Sequence, residues 1–237
     1  MNSTKLELKK LNLVAFLLFL TIFLSFLYSN ATENRKKIAV IDSGLKITKK
    51  IKPYLCEGFH KSFADNNPFL DSYEHGTNVA GLISENIDPS KWCLVIIKYE
   101  GSLDDFIKAL EYSIEIKASM INMSVEGPHY SQEELNLLKK AMQLKMVVSV
   151  AAGNRRGDQY NLDKACIVYP ACYIYNLDPK LFHVVGSYTG NFSNYGRKTV
   201  RFWENGVNRG YPVMSGTSQA TAIHTGKWTK YIDRGGN

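Results

Sequence analysis

The run "MVVSVAAG", residues 146–153, decides the fold. It lacks the apolar-polar alternation of a half-exposed strand. A continuous apolar run of that length suits a strand buried on both faces of a parallel sheet. "IAVI" at 38–41, "CLVIIKY" at 93–99, "SMINMS" at 119–124 and "FHVVGS" at 182–187 read the same way. Between them lie helix starts. Ser102-Leu103-Asp104-Asp105 resembles a capping box and opens a helix over about 103–117; Ser131-Gln132-Glu133-Glu134 opens a second over about 131–144. Strand, helix, strand, helix predicts an α/β fold: a doubly wound, mainly parallel sheet with helices on both faces. The chain has no internal repeats and no low-complexity linkers.

Sheets of this class bind ligands at the carboxyl ends of their strands. Three polar residues fall there: Asp42 after "IAVI", Ser124 closing "SMINM", and Asn154 after "VVSVAAG". Each has an ordinary reading as turn chemistry, but all three share one predicted edge. His75, in "YEHGTNVAGLI", sits in the first turn of a helix that carries Val79, Leu82 and Ile83 on one face. The small residues Gly76 and Thr77 that follow let other segments approach closely. His60, His129, His183 and His224 read as structural. In "YPVMSGTSQATAIHTG", residues 211–226, four small residues precede a helical pattern. They read either as a helix cap or as a serine placed among free N–H groups where an oxyanion is stabilised.

Charge narrows the function. Residues 1–61 carry eleven Lys and Arg against four Asp and Glu, which is the whole net excess of +7; the remainder carries eighteen of each. With no basic helix stripe and no RNA-type aromatic motif, nucleic acid is not an expected partner. The N-terminus is basic at Lys5, Lys9 and Lys10, then apolar from Leu13 to Tyr28, with Ser29 and Ala31 forming a small-x-small site. Residues 1–31 therefore read as a cleaved signal peptide or as an uncleaved signal-anchor, a membrane tether through residues 11–28. Residues 32–37 form a short basic linker and 38–237 one domain. Export suits the four cysteines. Cys166 and Cys172 enclose only "IVYPA" and read as a loop clip, which leaves Cys56 for Cys93; unpaired buried thiols are the other reading. No spacing suggests zinc.

Taken together the motifs resemble the subtilisin-like serine peptidases. Asp42 in "VIDSG", His75 in "HGTNVAG" and Ser218 in "SGTSQAT" follow that family's order of acid, imidazole and alcohol. "INMSVEGP" around Ser124 is similar to its substrate-binding strand, and "VAAGN" to the segment that ends in its oxyanion-hole asparagine. "YPA", "FHVVGS" and "NFSNYG" also have counterparts, so the likeness runs from about Ile38 to the C-terminus. It implies a catalytic triad of Asp42, His75 and Ser218, and an oxyanion hole made by the Asn154 side chain and the Ser218 N–H. It also implies a substrate-binding surface of Ser124, Val125, Glu126, Gly127, Ala152 and Gly153.

The chain departs from the family pattern in four places. There is no room for a prodomain between residues 31 and 38, and the chain ends nineteen residues after Ser218. Ala222-Ile223 stands where relatives carry Pro-His. The helix after His75 runs straight toward the next strand without a calcium-binding insertion, so no metal and no cofactor is expected. Glu126 stands where relatives often have glycine, with Arg155 and Arg156 close in sequence to Asn154; these charges are read either as selecting a charged residue or as solvated rim charges. The expected activity is that of a secreted or membrane-anchored serine endopeptidase acting on peptide or protein substrates outside the cytoplasm. The alternative is a catalytically silent binding or scaffold module. A G-x-S-x-G elbow is absent, which speaks against an esterase of the α/β-hydrolase kind. The sequence sets no oligomeric state.

Overall fold

The computed structural model describes residues 34–155 and 160–236. The leader, the tether through residues 11–28 and Arg156 lie outside the described residues. From Lys36 onward the chain forms one unit. Its elements follow in order: β1 (Lys36–Asp42), β2 (Lys61–Ser62), α1 (His75–Ser84), β3 (Trp92–Lys98), α2 (Leu103–Glu115), β4 (Met120–Met123), α3 (Gln132–Gln143), β5 (Val147–Ala151), β6 (Phe182–Ser187), β7 (Phe202–Glu204) and α4 (Thr217–Asp233), with two 3-10 turns at Lys52–Tyr54 and Ala171–Asn176.

The seven strands form one sheet in the order β2-β3-β1-β4-β5-β6-β7, and every neighbouring pair is parallel. Strands covered on both faces need no polar side, which is why the apolar runs are unbroken. Ile38 to Ile41 and Cys93 to Ile97 are at most 1% exposed. The two strands without an apolar run, β2 and β7, are the sheet's short edges, where only one side must pair.

From β1 the chain crosses one way to β3 and then back past β1 to β4. Crossovers of one hand then put α1 and α2 on opposite faces. Consistent with this, α1 packs on α4, and α2 packs on α3. The expected caps form: Ser102 Oγ accepts from Asp105 N–H at 3.4 Å and Ser131 Oγ from Glu134 N–H at 3.2 Å. The cysteines pair as Cys56–Cys93 and Cys166–Cys172, with Cα separations of 5.0 and 5.5 Å. Among the described residues no helix is long and apolar enough to cross a membrane.

The reversal of strand order beside β1 opens the crevice in which such folds hold ligands. Asp42 ends β1, and Ser124 follows β4 at the same level, since Ile41 is paired with Met123.

Candidate active site

The site begins with how α1 starts. Its N-cap, Glu74, has φ 58° and provides no side-chain cap. The cap comes instead from Asp71, which is fully buried. Asp71 Oδ2 accepts from Thr77 N–H at 2.8 Å and from Thr77 Oγ1 at 2.6 Å. Its Oδ1 accepts from Ser43 Oγ at 2.8 Å. Ser43 Oγ in turn accepts from Gly76 N–H at 3.0 Å, and Ser43 N–H donates to Asp42 Oδ1 at 2.8 Å. A carboxylate at a helix N-terminus also complements the helix dipole. The turn after β1 and the first turn of α1 are thus locked together. Gly76 is required by this closeness: a Cβ there would collide with the Gly44 carbonyl.

That lock aims His75. Its Nδ1 lies 2.7 Å from Asp42 Oδ1. A carboxylate can only accept, so Nδ1 carries the proton and Nε2 keeps its lone pair. Asp42 is 3% exposed; its Oδ1 is shared between His75 and Ser43 N–H, and its Oδ2 has no hydrogen-bond partner among the described residues. Burial of the imidazole opposes its protonation. Asp42's charge and hydrogen bond, helped by the charge of Asp71, outweigh that and raise the His75 pKa above its ordinary 6.5. The side chain keeps 32% of its exposure, so the ring remains reachable.

Ser218 is the second residue of α4, where helical geometry leaves the backbone N–H without an intrahelical acceptor. Its backbone and side chain are stitched to the end of β4. Ser124 Oγ donates to Ser218 O at 3.0 Å, and Ser218 Oγ donates to Ser124 O at 3.1 Å. Asn122 secures the same joint, donating to Ser124 Oγ and accepting from Thr225 Oγ1. The α1 and α4 N-termini are held to each other by two buried amides, Gln219 Nε2 donating to Asn78 Oδ1 at 3.0 Å. Asn78 lies three residues after His75 and Gln219 one after Ser218, so this bond sets the imidazole helix against the alcohol helix. The hydroxyl of Ser218 is bonded to Ser124 O and not to His75 Nε2; rotation about χ1 is the movement that turns it.

Asn154 caps α4 from 63 residues away, its Oδ1 accepting from Thr217 N–H at 2.8 Å and from Thr217 Oγ1 at 3.2 Å. The serine-cap reading of "SGTS" is therefore corrected: the N-cap is Gly216 with no side-chain cap of its own, and Ser215 Oγ serves Asn208 instead. With Oδ1 committed to Thr217, the NH2 group is the donor end left on the Asn154 side chain.

The remaining expected residues flank this point. Gly127 exchanges both backbone hydrogen bonds with Tyr169 at 2.8 Å, so its backbone is already paired. Ala152 and Gly153 are likewise paired within the fold, to Val185, Thr217 and Asn194. They form a wall and offer no strand edge. Glu126 reaches across from the Ser124 segment, and its Oε2 accepts from Asn154 N–H at 2.9 Å. Its carboxylate fills the space that a Gly153 side chain would need. Arg155 turns away, with its guanidinium 5.4 Å from the Tyr160 ring centroid. His183 and His224 are buried against each other, and His60 accepts from Ile96 N–H, so these three are structural.

Asp71, Asn78 and Gln219 went unread in the sequence, because a single polar residue in a helix or loop carries no periodic signal. The helical spacing of Asn78 beside the apolar Val79 and Leu82 was the one clue to a buried polar contact.

Comparison with known proteins gives the family and the fold. The family model described as "Subtilase family" matches residues 33–234. An intracellular serine protease of Paenibacillus polymyxa is 31% identical over 163 residues, covering 61% of this chain and 49% of that protein. A subtilisin of Bacillus pumilus is 31% identical over 157 residues, covering 60% and 54%. The chain thus spans about half the length of these relatives. Among solved structures, a lanthipeptide protease superposes with a TM-score of 0.68 at 20% identity, covering 85% of this chain and 76% of its own. MycP1 with its N-terminal propeptide removed gives 0.64 at 22%, covering 86% and 80%. At that identity the two structures speak to the fold alone.

Proposed function

This chain belongs to the subtilase family, and on that footing we propose that it is a serine endopeptidase in which Ser218 is the nucleophile, His75 the general base and Asp42 its orienting acid. The observation that carries this reading is the 2.7 Å contact of His75 Nδ1 with Asp42, which leaves Nε2 unprotonated on a helix tied to the one that bears Ser218.

The steps follow from that arrangement. Ser218 Oγ turns from Ser124 O, gives its proton to His75 Nε2 and attacks the peptide carbonyl carbon. Asp42 stabilises the imidazolium without taking its proton. The oxyanion is met by the Asn154 NH2 group and the Ser218 N–H, donors fixed before the charge develops. The carbon–nitrogen bond breaks as His75 protonates the leaving amine, and water then releases the acyl group by the same route. Loss of one oxyanion donor costs on the order of a hundred- to a thousandfold in turnover; the measured basis of that scale is the asparagine of subtilisin itself.

The test is a fluorophosphonate probe, which reacts only with an activated serine. Labelling at Ser218 that is abolished by Ser218→Ala and by His75→Ala supports the reading, and casein or peptide hydrolysis extends it to peptidase activity. The bond from Ser218 Oγ to Ser124 O favours a second reading, a silent binding module whose hydroxyl stays parked; folded protein that never labels would establish it. Two disulfides support an oxidising compartment, and therefore export. Mass spectrometry of the N-terminus of exported material distinguishes a removed leader from a retained anchor.

A further inference from the structure

We propose that Glu126 makes this site select a basic residue, lysine or arginine, immediately before the scissile bond. The inference rests on the peptidase reading above and adds the substrate class to it.

The argument starts from what surrounds Ser218. Ser124 O accepts from its hydroxyl, and Asn154 caps the preceding residue, Thr217. Glu126 is two residues beyond Ser124, and its carboxylate lies on the Asn154 N–H. A scissile carbonyl with its carbon at Ser218 Oγ and its oxygen at the Asn154 NH2 group must send the acyl-side side chain into the gap between residues 124–127 and 152–154. Glu126 and Gly153 line that gap. Gly153 has φ 92°, and any side chain on it would strike the Glu126 carboxylate and the Asn194 amide. The Glu126 carboxylate therefore stands against the bare backbone of Gly153 and makes that wall acidic.

The carboxylate also has acceptor capacity to spare. It accepts one hydrogen bond, although a carboxylate has about four acceptor positions. Among the described residues no Lys, Arg or His lies within ion-pairing distance of it. Arg155, whose charge acts on this carboxylate, has its guanidinium on the Tyr160 ring. Glu126 is exposed as a residue, yet its carboxyl end is tucked against backbone. Desolvation there raises its pKa, and the Asn154 N–H and the field of Arg155 only partly counter it. A carboxylate with no ion pair among the described residues, two positions beyond Ser124, is complementary to an ammonium or guanidinium.

The experiment uses peptides identical except at the residue before the cleaved bond: lysine against norleucine, arginine against citrulline, and glutamate. A charge-assisted hydrogen bond predicts that kcat/KM for each cation exceeds its neutral isostere by roughly ten- to a hundredfold. In Glu126→Gln both ratios fall toward one, Glu126→Asp restores part of them, and Glu126→Lys inverts the order in favour of glutamate. Ratios taken within one protein cancel differences in active fraction. Equal ratios in the parent and Glu126→Gln, or a parent indifferent to charge, overturn the proposal. If Glu126→Gln does not fold, the parent's ratios and Glu126→Asp decide. A turnover-free arm measures p-aminobenzamidine fluorescence on Ser218→Ala: saturable binding that Glu126→Gln removes supports the assignment, and binding that is absent or unchanged refutes it. Protein that labels with fluorophosphonate but shows no charge preference sinks Glu126 alone. Protein that binds the amidine but never labels sinks the peptidase reading alone.

Discussion

Asp71→Asn tests whether a buried carboxylate outside the proposed triad sets the basicity of His75. The substitution keeps size and one oxygen while removing the charge. Asp71 accepts three hydrogen bonds, two from Thr77 and one from Ser43. With its oxygen kept at Thr77, the amide turns its NH2 toward Ser43 Oγ, which can accept it. The Ser43 hydroxyl then donates only to Asp42 Oδ1, at present 3.3 Å away. The two remaining bonds lose charge assistance, so the expected loss of stability is about 1–3 kcal/mol in urea unfolding. Asp71→Ala, which leaves Thr77 N–H and the helix start uncapped, costs about 3–5 kcal/mol.

The kinetic consequence has a definite sign. Asp71 helps to raise the His75 pKa, so its removal lowers that pKa, and the hydrogen bond that Ser43 Oγ then gives to Asp42 offsets part of that carboxylate's charge and lowers it further. Labelling needs neutral His75. The acid limb of the labelling rate, which in the parent lies above pH 6.5, therefore moves to lower pH in Asp71→Asn, while the alkaline plateau changes little. The ring protons of His75 followed by NMR titration report the same shift without turnover. An acid limb that stays in place, or moves upward, would refute the assignment and leave Asp71 a helix cap only.

Other tests concern the scaffold. Burial lowers the pKa of His183 to about 4 and of His224 to about 3, and that of His60 to about 4; the unfolded chain binds protons first, so stability present above pH 6.5 is lost as pH falls toward 4. For His183 the drop from 6.5 to about 4 corresponds to about 3 kcal/mol. Glu134, whose pKa burial raises to about 7, opposes this between pH 4.5 and 7, so thermal melts of Glu134→Gln should fall more steeply with acid than those of the parent; parallel curves would contradict the account. Gly76→Ala should displace the first turn of α1 and abolish labelling even where circular dichroism reports a folded chain, because the Gly44 carbonyl leaves no room. Removing Cys56–Cys93, which spans 37 residues, should cost about 4 kcal/mol by the chain-entropy relation, against about 2 kcal/mol for Cys166–Cys172, which spans 6. Denaturation of the two double serine variants would refute the order by reversing it.

What could be read from sequence is what repeats or stays local. The five long strands announce themselves as unbroken apolar runs, and Ser102 and Ser131 as caps, because both signals need only near neighbours. Asp42, His75, Ser124, Asn154 and Ser218 stand out through their motifs, and the structure brings them to one end of the sheet. The edge strands β2 and β7 were illegible: "KS" and "FWE" have no period to detect, and only pairing with β3 and β6 makes them strands. The Asn78–Gln219 bond and the Asp71 cap were also hidden, since each depends on residues that folding alone makes adjacent. The direction of Glu126 belongs to the same class. Its charge was visible, but its placement on the Asn154 N–H was not.

In the proposed reaction the amide that steadies the start of α4 is the same amide offered to an incoming carbonyl. Mechanical support and charge reception share one side chain, one oxygen for the first duty and one nitrogen for the second. A replacement at Asn154 therefore cannot report chemistry in isolation, because slower turnover would arrive mixed with fraying beneath the nucleophile. Aspartate there keeps the prop and removes the donor, whereas alanine removes both, and the gap between those two variants measures what the nitrogen alone contributes.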